Sequence, residues 1–390
     1  MNIPSAANRL VQSIRLAVVR DFRAEGWPSM DLCADELIAH LPPSVAAADV
    51  APPFRRWLGW IPGLRRAGFN ADRVLNRHFL LPRVVRRAAK DADFVHIVDH
   101  TYAHLVSAGP PGRAGVYCHD LDAFRCLREP ESEPRPWWFR RLARRTLDGL
   151  RKAAIVFHNS ASTGERLSAL GLVLADRLVH APLGVAPEFS PNAAAIELPI
   201  AIRTPFLLHV GNNIPRKRLD VLLDVFAELR RRRNDLHLVQ VGGPWPRELA
   251  EQIERLGIGG YLTQVHGFSR GQLAELYRRA SAVLVTSDAE GFGLPVIEAL
   301  ACGTPVVASD LPTLREAGGA AIDYCPVGEI AAWTDAVTRV VTSSRISREE
   351  RLSQAAKFSW REHGRIIADA YLRLASRDRE RLDLPCASSS

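Results

Sequence analysis

Several things are scarce in this 390-residue chain, and each scarcity removes a class of protein. Six cysteines stand at positions 33, 118, 126, 302, 325 and 386, with no CxxC pair among them. A disulfide framework or a structural zinc site needs paired or clustered cysteines. Neither is expected, and a reducing cytosol is the expected compartment. No apolar run nears the ~20 residues of a membrane span. The opening residues MNIPSAANRLVQSIRLAVV lack a basic cluster, an apolar core and a small-residue cleavage site, so no export leader is expected. No strand-like run leads into GxGxxG with a later acidic residue, which argues against a dinucleotide dehydrogenase. Charge of one sign is modest: 51 Lys and Arg against 43 Asp and Glu, a net +8. Hydrophobic residues at 47% and charged residues at 24% exclude disorder and collagen-like structure. The basic excess sits in one place. Residues 51–90 hold ten Arg or Lys against a single acid, Asp72, and the remainder is close to neutral.

What is present alternates. Such a length implies two or three domains. Leu16–Val19 is short, apolar and β-branched, as a buried parallel strand should be. A loop with Gly26 and Pro28 follows it, then a helical pattern from Met30 to Leu41 that ends at Pro42-Pro43. Further strands are expected at 93–98, 115–118 and 154–157, with helices at 135–153 and after a cap near Ser162 or Thr163. Five prolines between Pro182 and Pro205 mark an interdomain linker. The alternation then resumes, with strands at 206–210, 236–241, 264–267, 282–285 and 305–308. The expectation is two Rossmann-like halves facing a cleft, with ligands at the carboxyl ends of strands.

The most informative stretch is Glu290-Gly-Phe-Gly-Leu-Pro-Val-Ile-Glu298. Pro295 suits a first helical turn, and the free N–H groups there, with Gly291 and Gly293, suit a phosphate oxygen. Glu298 is expected in that first turn and Glu290 in the loop before it. A carboxylate accepts two hydrogen bonds, which fits the neighbouring hydroxyls of a ribose or hexose. Spacing alone leaves open that Glu298 is a capping acid and Glu290 a solvated loop charge. The second stretch is the turn Gly211-Asn-Asn-Ile-Pro-Arg216-Lys217-Arg218. Arg216 and Lys217 there suit a diphosphate, one by a fork and one as a point charge. A departing diphosphate develops the negative charge that such cations stabilise.

With Cys302-Gly303-Thr304-Pro305, these pieces resemble the retaining glycosyltransferases of the GT-B fold, group 1 or family 4. The resemblance is strong over 206–318 and looser before it. It implies an N-terminal acceptor domain over 1–190, joined by residues 359–390, and a donor domain over 203–358. A last helix from Phe358-Ser-Trp360 onward would cross back to the first domain. The resemblance further implies that Arg216 and Lys217 hold the diphosphate and that Glu298 takes the ribose hydroxyls. Glu290 would contact the donor sugar near its anomeric centre. The backbone of Phe292, Gly293 and Leu294 would bind sugar hydroxyls and phosphate, with Gly211 in the phosphate turn. Gly267 and Phe268 would lie against the base. His119 would reach the sugar from the first half, and Gly26 would face the phosphates, in a loop where the family pattern has two adjacent glycines. The implied reaction moves a hexose of mannose or glucose type to a hydroxyl of a glycan or lipid-linked acceptor, as in cell-surface polysaccharide or lipopolysaccharide synthesis. Retention of configuration and the absence of a cofactor or metal are implied likewise. A GT-B epimerase and a non-catalytic, membrane-docked nucleotide-binding subunit remain as alternatives.

Lesser signals complete the reading. His96, Asp99, His100, Tyr102 and His104 crowd one strand end; neighbours after a strand point in different directions, which disfavours a metal site there. His100 and Tyr102 are candidate acceptor contacts. Asp91-Ala-Asp93 and Asp120-Leu-Asp122 match DxD, a pattern that chance produces readily, and are read as structural. In 51–90 the arginines stand beside Trp57 and Trp60, a combination that suits an anionic membrane surface. No nucleic-acid fold signature accompanies them, so nucleic acid is not expected as a partner. The expected location is cytoplasmic, on the inner face of the plasma membrane if this stretch docks there.

Overall fold

The computed structural model describes residues 13–382 other than 62 and 64. Residues 1–12, on which the leader expectation largely rests, and Cys386 lie outside the described residues. The other five cysteines are free and buried. Among the described residues no helix is long and apolar enough to cross a membrane.

The chain divides into two compact units. The first comprises Met1–Asn159, Thr163–Pro182 and Trp360–Ser390; the second comprises Ser160–Ser162 and Leu183–Ser359. The proline-rich stretch after Pro182 thus falls with the second unit.

The first unit is built on six parallel strands: β1 (Ile14–Val19), β2 (Val45–Val50), β3 (Phe94–Ile97), β4 (Ala114–Cys118), β5 (Ile155–His158) and β6 (Leu178–His180). Their spatial order is β2-β1-β3-β4-β5-β6. The second unit has β7 (Phe206–Val210), β8 (His237–Val241), β9 (Leu262–Val265), β10 (Ala282–Val285), β11 (Val306–Ser309) and β12 (Asp323–Cys325), in the order β12-β11-β10-β7-β8-β9. In both sheets the strand order reverses once, between β1 and β3 and between β7 and β10. At such a reversal the loops after the two strands part to opposite faces and leave room for a ligand at the carboxyl edge.

Burial explains which strands are legible. Central β3, β4, β5 and β10 are buried at every position, so they read as unbroken apolar runs. The strands that the periodicity misses or shifts are the sheet edges: β2, β6, β9 and β12. β2 is VAAADV with four exposed central residues, and β9 is LTQV with one buried residue. An edge strand is covered on fewer sides and needs no apolar run.

The last helix, Trp360–Leu382, belongs to the first unit, as the expected return implies. Tyr371 on it is fully buried, and its hydroxyl meets His96 Nδ1 at 3.0 Å. Gly364 lies against the carbonyl of His40, where a Cβ would stand 2.4 Å from that oxygen.

The basic stretch forms a loop, the helix Arg65–Leu75, one wider turn over Asn76–Leu80 and the helix Leu81–Ala88. Its one acid, Asp72, is buried and accepts the backbone N–H groups of Trp57, Leu58 and Gly59. The outward surface of this stretch therefore shows cations with Trp57, Trp60 and Phe79 exposed among them. The helix Trp137–Lys152 packs on the turn segment His100–Ala108 at a point where Gly149 is needed. A Cβ there would lie 2.0 Å from the Ala103 carbonyl oxygen. Gly149→Ala is expected to lower stability by about 1–3 kcal/mol through this overpacking, read as a fall in the midpoint of thermal unfolding.

Candidate active site

The informative motifs of the second unit converge on the β7/β10 reversal. After β7 the chain passes Gly211 and makes a single 3-10 turn, Pro215–Lys217. After β10 it runs through Thr286, Ser287 and Asp288 to Glu290, then enters the helix Leu294–Ala301. Gly293 caps that helix at φ 103°, and a Cβ would come within 2.8 Å of the Leu314 side chain. Both conditions require glycine here. The helix starts at Leu294, one residue before Pro295, so Glu298 is its fifth residue. The expectation of Glu298 in the first turn is corrected by that register: it lies one turn in, on the buried side.

Glu290 and the two cations meet directly. Lys217 Nζ donates to Glu290 Oε1 at 2.6 Å, and Arg216 Nη1 lies 3.4 Å from Oε2. Arg216 Nη1 also donates to the Ala289 carbonyl at 2.9 Å, and Ser287 Oγ donates to Glu290 Oε1 at 2.6 Å. The Glu290 side chain is only 6% exposed. Burial would raise its pKa, but the Lys217 and Arg216 charges and the hydrogen bonds from Lys217 and Ser287 outweigh burial and hold it below its usual range. It is a carboxylate neutralised by Lys217 and Arg216, which excludes the reading of Glu290 as a solvated loop charge.

Glu298 is a carboxyl of the opposite kind. It is buried, takes a hydrogen bond from Tyr277 Oη at 2.9 Å, and burial pushes it up to about 7 despite that bond. The helix that carries it contains the buried Val296, Ile297, Ala299 and Leu300. Phe292 turns its ring inward against Phe358, 5.6 Å between centroids, so only its backbone faces the loop. Gly267 (φ 72°) and Phe268 come just after β9, which ends at Val265. His209 on β7 is a residue the motif reading missed. It is buried, its Nδ1 has no partner, and burial and the Lys217 charge push its pKa down to about 3. A Cβ on Gly211 would lie 3.4 Å from both His209 Cε1 and Lys217 Cε, so Gly211 keeps the imidazole and the lysine stem close.

Ser287 and Tyr277 were also missed. A serine three residues before Glu290 was readable as a local partner. Tyr277 had no such signal, because it comes from a different helix, Arg270–Arg279.

In the first unit the β1/β3 reversal gathers carboxylates. Gly26 follows a short turn at φ 74° with open space around its Cβ position. Beside it Glu25 is held by Arg77 through Nε, at 2.7 Å, and Nη2. Tyr102 Oη donates to the same carboxylate at 2.8 Å and is 1% exposed. Tyr102 is thus spent on the loop, and its expected acceptor contact is set aside for that reason. His100 Nδ1 meets Asp99 at 3.1 Å; burial opposes its charge, but Asp99 outweighs burial and raises its pKa. Asp99 is held low by His100 against burial, whereas burial and the facing Asp99 push buried Asp21 well above the usual range. His119 is buried with Nε2 bonded to the Val98 carbonyl at 2.9 Å, and burial lowers its pKa, so its ring is neutral. His96 and His104 bond elsewhere, to Tyr371 and to the Arg77 carbonyl. Asp93 accepts the Arg15 N–H at 2.7 Å and Asp120 the Asp122 N–H at 3.0 Å, as turn and strand partners. Among the described residues no group of three His, Cys, Asp or Glu side chains is arranged to hold a metal ion.

Known proteins are similar to this chain in sequence and in fold. Residues 196–358 match the family described as Glycosyl transferases group 1. The D-inositol 3-phosphate glycosyltransferase of Mycolicibacterium smegmatis is 35% identical over 197 residues, which is 46% of this chain and 43% of that protein. The chain therefore spans under half the length of that relative. The O-antigen chain mannosyltransferase B of Escherichia coli is 27% identical over 66% of this chain and 70% of its own. In fold, the Anabaena protein HepE, solved in complex with UDP and glucose, superposes with a TM-score of 0.69 at 16% identity, covering 92% of this chain and 99% of that one. The chain has the GT-B fold, and its residues 196–358, which carry Arg216, Lys217, Glu290 and Glu298, are similar to the glycosyl transferases group 1 family.

Proposed function

We propose that the protein is a retaining, metal-independent hexosyltransferase that uses a nucleoside-diphosphate sugar. The observation that carries the reading is the buried Lys217–Glu290–Arg216 cluster beside the Gly293-capped helix and the Glu298 carboxyl. The diphosphate takes over Arg216 and Lys217, and Glu290, released from them, turns its oxygens to the sugar. Arg216, Lys217 and the helix N-terminus stabilise the charge that develops as the diphosphate leaves. The acceptor hydroxyl attacks from the face the diphosphate leaves, and the leaving phosphate takes the proton. Glu298 and the backbone of 292–294 hold ribose, phosphate and sugar hydroxyls, and Gly267 with Phe268 lies against the base. His119, Gly26 and, for the acceptor, His100 keep the contacts that the resemblance implies. The acceptor is a glycan or a lipid-linked sugar in cell-surface polysaccharide or lipopolysaccharide synthesis, and the basic, tryptophan-bearing surface of 51–90 docks the enzyme on anionic lipid.

Turnover should be assayed over UDP-, GDP- and ADP-hexoses with glycan and phosphate-bearing lipid acceptors. Lys217→Ala is expected to lower turnover about 10²–10³-fold without unfolding the chain. Near-normal product formation by that variant would remove the clamp, and product from donor alone would favour an epimerase.

The Glu298 carboxyl accepts ribose hydroxyls fully only when ionised. Because its pKa is raised from 4.5 to about 7, donor affinity should strengthen as pH rises from 6 to 8. The same shift works the other way on the fold: the stability Glu298 contributes is full below 4.5 and is lost as pH rises through about 7. Glu298→Gln should flatten both profiles, as measured by donor KM and by denaturant midpoints across this range.

For the surface, flotation with vesicles of phosphatidylcholine alone and with added phosphatidylglycerol is the check. Binding should require the anionic lipid, fall with salt, and weaken when Trp57 and Trp60 are both changed to Ala.

A further inference from the structure

The clamp lysine is held from two directions, and only one is its ion pair. Lys217 is followed by Arg218 at φ 48° and ψ 49°, the one non-glycine residue with positive φ among those described. A left-handed backbone is unfavourable for a residue with a side chain and persists only where its surroundings enforce it. The surroundings here are specific. Thr286, fully buried at the end of β10, points its Oγ1 at the carbonyl oxygens of Lys217 (2.9 Å) and Arg218 (3.2 Å). Asp288 N–H donates to the Arg216 carbonyl at 2.9 Å. The Arg218 guanidinium forks onto Asp220, Nε to Oδ1 at 3.0 Å and Nη2 to Oδ2 at 2.9 Å. Three successive carbonyls of the cationic turn are therefore tied to the loop that bears Glu290. That loop supplies both the ammonium's counterion and the backbone's anchor.

We propose that Thr286 is a positioning residue of the diphosphate clamp: its hydroxyl, with the Arg218–Asp220 fork, holds the turn at 215–218 in the strained form that aims Lys217. The inference rests on the clamp reading above and extends it to a residue that touches no substrate. The hydroxyl is the operative group. A valine fills the same space but leaves the Lys217 carbonyl buried without its donor. The strained turn then has one fewer restraint, and Lys217 loses its fixed direction.

The test compares nucleoside diphosphate with monophosphate binding, because the second phosphate alone depends on the clamp. UDP, GDP and ADP are titrated against the full chain with UMP, GMP and AMP, and the base that binds the wild type is scored. Thr286→Val is expected to weaken the diphosphate about tenfold and leave the monophosphate unchanged, and kcat with the sugar donor should fall about 10–100-fold. Thr286→Ser, which keeps the hydroxyl, should restore the ratio of the two affinities. A role confined to stability would lower the unfolding midpoint and weaken both nucleotides alike, and that result overturns the proposal. So does a Thr286→Val protein with the wild-type ratio. If Thr286→Val does not fold, Asp220→Asn, at a half-exposed site, decides on the same ratio: a fall supports the proposal and no change overturns it. Lys217→Ala is run in parallel. If it too leaves the ratio unchanged, the clamp itself is wrong; if it alone collapses the ratio, only the positioning role is.

Discussion

A buried carboxylate must be neutralised by partners or shifted toward its protonated form, and the second unit does one of these at each of its two key glutamates. At Glu290 two cations and a serine hydroxyl meet the carboxylate, so it stays ionised inside the protein. That pairing fastens the cationic turn after β7 to the loop after β10, and those loops meet only because the strand order reverses between these two strands. At Glu298 the hydrogen bond comes from a neutral tyrosine hydroxyl, and burial brings the carboxyl to about 7. Two buried glutamates eight positions apart are thus shifted in opposite directions, because their partners differ.

The first unit handles the same constraint with different parts. Its reversal point lies between β1 and β3, and there Glu25 is paired with Arg77 and Asp99 with His100, while burial and Asp99 raise the pKa of Asp21. Where the second unit gathers two cations around one carboxylate, the first gathers three acidic side chains with one arginine and a histidine whose pKa is raised. Similar sheets therefore offer different chemistry at their carboxyl edges.

Much of the fold was legible because parallel sheets write themselves as apolar runs. β3, β4, β5, β7 and β10 were found that way, while β2, β6 and β12 were not, for they lie at sheet edges and carry alanine or polar residues. The site was legible where chemistry is contiguous in sequence: the Glu290–Glu298 motif and the Arg216-Lys217 turn are each short. It was illegible where partners come from elsewhere. Tyr277 reaches Glu298 from a helix on another segment, and His209 meets Lys217 from inside β7. Tyr102 shows the reverse case, a residue at the right strand end whose hydroxyl is consumed by Glu25.

The sequence by itself determined the α/β alternation, the Glu290–Glu298 and Arg216-Lys217 motifs and the one basic surface, since each depends on residue types over a short span. Only the tertiary structure decided which way each carboxyl's pKa is shifted. Ionisation depends on burial and on partners brought from distant segments: Lys217 to Glu290 across 73 positions and Tyr277 to Glu298 across 21. It also decided that Asp72 is spent on backbone amides, leaving the basic surface without its one acid. A residue's type sets what it can do; its neighbours in space, which the chain order does not state, set what it does.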